Sequence, residues 1–348
     1  ANYLSTENRL FLRSIDSTLR EVFTDVRSIP GDTHTFLVSN LTDRILLSPR
    51  WFSQRLTGAG LQTQFVTSYA MPLLLDQRRI VEVEQVLAQE KGFINRDLFP
   101  QVYLFQMILW STHFGQGFSR LMTRISVPFV VVLAVGILIV SGLGFWKCRQ
   151  GPLVSVDLAV GVSGFSEILF QLIVILIFQA LYGIAYERIG LILGSFMLGL
   201  VVGTKLILGR AGQSKPILLG VLKRVQVAMV VYPLLLPLLF FIFREARFAQ
   251  EWMAVFSVVF ACVPFVAGML GGMQYPLATL LRQDHGASDE APGAGRLYAF
   301  DVFGAAVGAL LAGTLLVPLY GIVSVCLLCA ALNAVVLIFL WKEKASAA

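Results

Sequence analysis

The sequence is poor in charged residues and in histidine, and it lacks the common nucleotide-binding loops. Only 14% of its 348 residues are Asp, Glu, Lys or Arg, whereas soluble domains carry about 25%. The three histidines, His34, His113 and His285, are too far apart in sequence to indicate a metal cluster. There is no P-loop, and no GxGxxG follows a strand-like run, so no nucleotide-phosphate site is predicted.

The four cysteines, Cys148, Cys262, Cys326 and Cys329, do not indicate a disulfide framework. Cys326 and Cys329 form a CxxC motif inside the apolar run VSVCLLCAALNAVVLIFL. Because that run offers no further ligands, packing or lipid-facing thiols are favoured over redox or metal chemistry.

Apolar residues dominate the rest of the chain. They make up 57% of it, and the mean hydropathy is +0.76, which is typical of an integral membrane protein. The net charge of +6 is explained by basic loops beside membrane helices, so no nucleic-acid partner is expected. The expected partner of this part is the lipid bilayer.

Seven apolar runs are long enough to cross a bilayer core of about 30 Å. The predicted spans are 127–145, 158–186, 189–208, 225–243, 253–281, 297–319 and 322–341. Glycines and prolines predict bends at Gly161 and Gly164, at Pro233 and Pro237, and a break at Pro264. Kinks that serve packing are favoured over broken helices that bind a substrate.

The second span carries polar side chains at helical spacing. Glu167, Gln171, Gln179, Tyr182 and Tyr186 fall on one face, and the turn Tyr186-Glu187-Arg188 follows. A carboxylate at membrane depth costs several kcal/mol unless it faces protein, water or a partner, so this face is expected to point inward. It forms either a polar pocket or a set of residues that only ties helices together, and the second alternative is favoured.

The sixth span begins with Arg296 and Asp301. Asp301 lies one turn inside the helix, where its charge complements the helix dipole, and we expect it to pair with Arg296 or to reach another span. A structural role is favoured over a proton or amine site. The candidate intramembrane polar site consists of Glu167, Gln171, Gln179, Tyr182 and Asp301.

Small residues predict close helix contacts in the third and sixth spans. Gly190 with Gly194, and Gly199 with Gly203, are spaced at i,i+4 in the third span. Gly304 and Gly308 repeat this spacing in the sixth.

Residues 1–124 are predicted to form a soluble α/β segment, and residues 125–348 the transmembrane domain. Strands are predicted in HTFLVSN and LQTQFVT, with helices from Ser48-Pro49, from Asp76 and in QVYLFQMILWSTHF. In the opening helix, the predicted apolar face consists of Leu10, Phe11, Ile15, Leu19, Val22 and Phe23. The residues Asp16, Asp25 and Asp32 are predicted to lie at the surface and to have no catalytic role.

Two strands do not make an independent parallel sheet. We therefore expect the soluble segment to be the tail of a larger α/β domain whose catalytic half lies upstream of Ala1. The predicted fold is a mostly α membrane protein, with about seven transmembrane helices preceded by a truncated Rossmann-like α/β segment.

Several separated blocks resemble one family. NYLSTENRLFLRSIDSTLREVF, SIPGDTHTFLVSN and NRDLFPQVYLFQMILWSTHFG resemble the end of a spermidine-synthase-like domain. GFSEILFQLIVILIFQALYGIAYERIGLILGSFMLGLVVG, GGMQYPLATLL and GRLYAFDVFGAAVGALLAGTLLVPLYGI resemble the helices of its membrane-embedded members. Nearly the whole chain is covered, so the chain is identified as a candidate C-terminal portion of that family.

The resemblance implies a transferase that moves an aminopropyl group from decarboxylated S-adenosylmethionine to a polyamine at a bacterial inner membrane. The glycine-rich loop and acidic residues of that chemistry have no counterpart here, so no catalytic, cofactor-binding or metal-binding residue is assigned. The chain alone is expected to be inactive and to bind no S-adenosyl cofactor. The alternatives are a transporter of a polyamine or other small cation, a structural subunit of a membrane assembly, and a plain anchor.

The distribution of basic residues conflicts with that activity. Lys and Arg are more numerous at the span ends opposite the soluble segment. The positive-inside rule therefore places the soluble segment outside the cytoplasm, whereas an S-adenosyl cofactor is cytoplasmic.

Overall fold

The computed structural model describes residues 5–61, 63–111, 154–183, 186–244, 253–283 and 291–342. The chain divides into two units. The first comprises Ala1–Arg96 and Pro100–Ile125, and the second comprises Asp97–Phe99 and Ser126–Ala348.

The first unit contains short helices and one small sheet. Its elements are α1 (Thr6–Val22), β1 (Asp25–Ile29), β2 (Thr35–Ser39), α2 (Pro49–Gly58), α3 (Met71–Leu74), α4 (Gln77–Ala88) and α5 (Gln101–Ser111). The strands pair antiparallel, with Asp25 opposite Ser39 and Ile29 opposite Thr35.

Local sequence signals explain several helix starts. The Ser5 hydroxyl caps α1 by accepting a hydrogen bond from the Asn8 amide at 3.3 Å. The Asp76 carboxylate caps α4 in the same way, accepting from the Arg78 amide at 3.0 Å. Pro49 opens α2, whose first turn needs no amide donor from that residue. The predicted starts of α2 and α4 are therefore confirmed.

The strand predictions are half right. HTFLVSN contains β2, but LQTQFVT is not a strand in its described residues, 61 and 63–67. Phe65 in that run is 84% exposed, so no core surface pairs with its apolar side chains. β2 instead pairs with β1. The sequence did not predict β1 because its buried residues include the polar Asp25 and Ser28, which interrupt the apolar pattern of a strand. A Rossmann-like domain is built on a mostly parallel sheet, and this antiparallel pair does not display one.

The apolar face predicted for α1 is half-buried apart from the exposed Val22, and Phe11 on this face packs against a core cluster. The fully buried residues of the helix are Asn8, Leu12, Arg13, Ser14 and Asp16. Of the acids predicted at the surface, Asp16 and Asp25 are also buried, while Asp32 is exposed. The Asp16 carboxylate accepts a hydrogen bond from Arg20 Nε at 2.9 Å, and Asp25 accepts one from Arg27 Nε at the same distance.

Polar bonds explain why α1 turns this face inward. Arg13 Nε donates to the Val86 carbonyl at 3.0 Å, near the end of α4. Ser14 Oγ donates to the Phe93 carbonyl at 2.5 Å, and Thr18 Oγ1 accepts from the Asn95 amide at 2.8 Å. These bonds satisfy backbone groups of the chain that follows α4, which apolar side chains could not do.

The second unit is built from long helices. They are α6 (Val154–Tyr182), α7 (Tyr186–Leu208), α8 (Lys215–Arg244), α9 (Met253–Arg282), α10 (Ala291–Leu311) and α11 (Val317–Lys342), with a π-helical turn at Ala312–Leu316. Because Tyr186 already belongs to α7, the turn predicted at Tyr186-Glu187-Arg188 is misplaced.

Five helical segments in the described residues are long and apolar enough to cross a membrane. They are Val154–Leu181, Ile189–Leu208, Lys215–Arg244, Val258–Arg282 and Ala294–Lys342. The chain is therefore an integral membrane protein, but the predicted number of seven spans is not confirmed. The first predicted span, 127–145, lies outside the described residues.

The fifth of these segments is interrupted at Gly321. This residue has φ 77° and ψ 164°, which a side chain rarely tolerates, and it lies between the sixth and seventh predicted spans. The break frees the amide of Ile322, which donates to the Leu98 carbonyl at 2.8 Å. Leu98 lies in Asp97–Phe99, the short segment that belongs to this unit.

Glycines bring two pairs of helices into backbone contact. A Cβ added to Gly199 or Gly203 of α7 would come closer than 3.0 Å to backbone atoms of α9, and one added to Gly268 or Gly272 of α9 would meet α7. The predicted close approach at Gly199 and Gly203 is therefore confirmed.

The other glycines differ in role. Gly304 of α10 packs against the backbone of α6 at Gly161, so the predicted bending glycine lies in a packing surface of a continuous α6. Likewise, α9 continues through Pro264. Among the described residues, Gly190 and Gly194 face open space, so this predicted pair does not mediate packing.

Two matched alanine substitutions in α7 test this packing. Gly199→Ala adds a Cβ against the backbone of α9 and is expected to lower the free energy of unfolding by about 1–3 kcal/mol. Gly194→Ala adds the same group in open space, and a change within about 0.5 kcal/mol is expected. Thermal unfolding of both variants in detergent measures the difference, and equal destabilisation would contradict the packing.

Candidate intramembrane polar site

Glu167 lies where α6 meets α9. Its Oε1 accepts a hydrogen bond from Ser163 Oγ at 2.8 Å, one turn earlier on α6. A Cβ added to Gly271 of α9 would collide with this carboxyl group. The missing side chain at Gly271 therefore makes room for the acid between the two helices.

Asp301 of α10 lies beside α6 at Gly164. A Cβ added to Gly164 of α6 would meet the Asp301 backbone and would lie 2.7 Å from its Oδ1. Gly164 precedes Glu167 by three residues, so the two acids lie on neighbouring turns along one side of α6. The structure thus brings together two of the predicted site residues, which are 134 positions apart in sequence (301 minus 167).

Among the described residues, no hydrogen bond joins the Gln171 or Gln179 side chain to this pair. Gln171 is half-buried on α6, and Gln179 is exposed. The side chain of Tyr182 lies outside the described residues. The polar stripe of α6 is therefore not uniformly turned toward the protein interior.

A buried amide network joins four helices, and the sequence analysis missed it. Asn333 of α11 donates from Nδ2 to Ser166 Oγ of α6 at 2.8 Å. Gln226 of α8 donates from Nε2 to Asn333 Oδ1 at 2.9 Å, and Gln274 of α9 donates from Nε2 to Gln226 Oε1 at 2.9 Å. A single amide inside each of three apolar spans was the signal that could have found it.

Cys329 belongs to the same region. Its thiol lies 3.3 Å from Ser166 Oγ, and its carbonyl accepts from Asn333 Nδ2 at 2.9 Å. Cys326 and Cys329 are both buried free thiols, in accord with the packing role predicted for the CxxC motif.

A buried carboxylate with two arginine partners joins α6, α9 and α10. Asp157, near the start of α6, is 1% exposed and accepts from Arg282 Nε of α9 at 2.7 Å. Arg296 Nη2 of α10 lies 2.8 Å from the other carboxylate oxygen, Oδ2. Arg296 therefore pairs with Asp157, and the predicted pairing with Asp301 is not formed.

His34 belongs to no metal-ligand cluster of the described residues. His34 in the first unit lies 2.7 Å from Ser28 Oγ through Nε2, and burial lowers the pKa of its imidazole. His113 and His285 lie outside the described residues. Within the described ranges, no group of three or more His, Cys, Asp or Glu side chains could hold a metal ion.

The first unit has its own clefts, which meet at Arg20. One of about 320 Å³ is lined by Asp16, Arg20 and Lys91, among others. Its walls carry both signs of charge, so they do not define a ligand class.

Comparison with known proteins returned no match to a protein-family model, a curated protein or a solved structure. Function is therefore argued from the geometry of the membrane unit.

Two serines provide a matched test of the amide network. Ser166 and Ser195 are both buried, and each donates to the carbonyl four residues earlier at 2.7 Å. Ser166 also accepts from Asn333, so Ser166→Ala should cost about 1 kcal/mol more than Ser195→Ala. Thermal unfolding in detergent measures both, and equal costs would mean that the network adds no stability.

Proposed function

We propose that the membrane unit binds a small cation, in the first place a protonated amine, at Glu167 and Asp301. The observation that carries this proposal is the placement of two acids on neighbouring turns of α6: Glu167 lies against Gly271 of α9, and Asp301 of α10 lies against Gly164, three residues before Glu167. Within the described part of the chain, no ion pair joins either acid to a basic side chain. Asp157, in contrast, is paired with two arginines.

The physical argument is electrostatic. Glu167 and Asp301 are half-buried within apolar helices. A carboxylate there loses part of its hydration and is stabilised in return by a cation, a proton or strong hydrogen-bond donors. The donor recorded for Glu167 is one hydroxyl, that of Ser163. A protonated amine supplies both a positive charge and several N–H donors, which makes it a suitable partner for the pair.

This site favours transport or sensing of a small cation over a purely anchoring role. A plain anchor has no need of acids at the contact of α6, α9 and α10, because apolar packing alone holds helices together at lower cost. A structural subunit of a membrane assembly is the second candidate, and the backbone contacts of α7 with α9 favour it because they make a rigid bundle.

Aminopropyl transfer is proposed on the family resemblance alone. A membrane-embedded relative of spermidine synthases, in a bacterial inner membrane, would use decarboxylated S-adenosylmethionine at a nucleotide site, and no residue of this chain is assigned to that site. The cation site is compatible with this origin, since a polyamine is a protonated amine. The proposed cation site does not depend on the family resemblance.

Charge-removing variants test the cation site. The full chain in lipid nanodiscs is expected to bind putrescine, and Glu167→Gln and Asp301→Asn should each weaken binding about tenfold, or about 1.4 kcal/mol. Isothermal titration calorimetry measures the affinities. Glu82→Gln, at an exposed residue of the first unit, is the matched control and should bind like the wild type.

Two outcomes would contradict the proposal. One is the absence of putrescine binding to the wild type. The other is an affinity of the Glu167→Gln and Asp301→Asn variants equal to that of the Glu82→Gln control.

A further inference from the structure

The hydrogen bonds of the amide network have a defined donor-to-acceptor direction, which is determined at its α6 end. Ser166 Oγ donates its only hydrogen to the Val162 carbonyl at 2.7 Å, so it must accept from Asn333. The same Asn333 amino group donates to the Cys329 carbonyl, which can only accept. The Asn333 side chain therefore turns its nitrogen toward α6 and its oxygen toward Gln226.

The orientation of Asn333 also determines the orientations of the Gln226 and Gln274 side-chain amides. The Gln226 amino group donates to Asn333 Oδ1 and to the Asn333 carbonyl, at 2.9 and 3.1 Å. Its oxygen therefore faces Gln274 and accepts from Gln274 Nε2. Fixed backbone carbonyls thus determine all three amide orientations, which are otherwise interchangeable.

The network consequently ends in an acceptor. Gln274 is 1% exposed, and its Oε1 has no hydrogen-bond partner among the described residues. Exchanging its oxygen and nitrogen would place two carbonyl oxygens face to face at Gln226, so the side chain cannot be satisfied by a flip. A buried carbonyl oxygen without a donor costs about 1–3 kcal/mol.

Gln274 lies in the same layer of the bundle as the two acids. It is one helical turn beyond Gly271, which packs against the Glu167 carboxyl group. α6 and α9 run antiparallel, since Arg282 further along α9 reaches Asp157 earlier on α6. Gln274 is therefore level with the turn of α6 just before Glu167, which includes Gly164, the contact of Asp301.

We infer that Gln274 Oε1 is the third acceptor of the Glu167–Asp301 site and that the site selects a cation carrying N–H donors. This inference rests on the proposed cation binding. Two carboxylates supply the charge and one amide oxygen supplies a directional acceptor, which together match the three donors of a primary ammonium group. A fully methylated ammonium carries the same charge and no donor, so it leaves Gln274 unsatisfied.

The test compares putrescine with its fully methylated analogue, 1,4-bis(trimethylammonio)butane, on the full chain in nanodiscs. The wild type should bind putrescine at least about tenfold more tightly. Gln274→Met should weaken putrescine binding about tenfold and leave the affinity for the methylated analogue unchanged. Gln85→Met makes the same change at an exposed residue of α4, and this control should bind both diamines like the wild type.

The outcomes separate the inference from the proposed function. If Glu167→Gln weakens putrescine binding but Gln274→Met does not, Gln274 bonds only to water and the inference fails while the cation site stands. Equal weakening of putrescine and of the methylated analogue by Gln274→Met would make Gln274 a structural residue. If Gln274→Met does not fold, equal wild-type affinity for the two diamines overturns the inference, and no binding of either overturns both proposals.

Discussion

A polar group inside a bilayer must find its partner within the protein, and the membrane unit depends on this constraint. α6 contacts each of α7 to α11, and its Asp157 and Ser166 form polar links to α9, α10 and α11. Each link satisfies a group that lipid cannot. The helix is therefore held by specific partners on several sides as well as by apolar packing, which distinguishes neither neighbour nor register.

Glycine determines where those partners can meet. Gly271 leaves space for the Glu167 carboxyl group, and Gly164 leaves space for Asp301. The close contacts of α6 with α9 and with α10 thus do more than hold helices together. They bring Glu167 and Asp301 to neighbouring turns of α6, which is where the proposed cation site lies.

The sequence was informative where a property is local. Long apolar runs predicted the helices because the bilayer sets their length, and the caps at Pro49 and Asp76 marked two helix starts in the first unit. It missed the fully buried face of α1, which carries Arg13, Ser14 and Asp16. The buried face there is determined by backbone groups of a segment some 75 residues later, such as the Gly92 amide that Ser17 accepts from.

For the candidate site too, some features follow from the sequence and others only from the tertiary structure. The sequence by itself determined that this is a membrane protein and that Glu167 and Asp301 are acids inside apolar helices, because composition and position along the chain are enough for both. Spacing predicted glycine contacts at two pairs in α7, and only the structure decided that Gly199 and Gly203 form one while Gly190 and Gly194 do not. Only the tertiary structure decided that Asp157 forms an ion pair with Arg296, and that Gln226, Gln274 and Asn333 form one hydrogen-bond network. The hydrogen bonds of this network, including the one to Ser166, join residues 48, 107 and 167 positions apart. Only helix packing brings these residues within hydrogen-bonding distance.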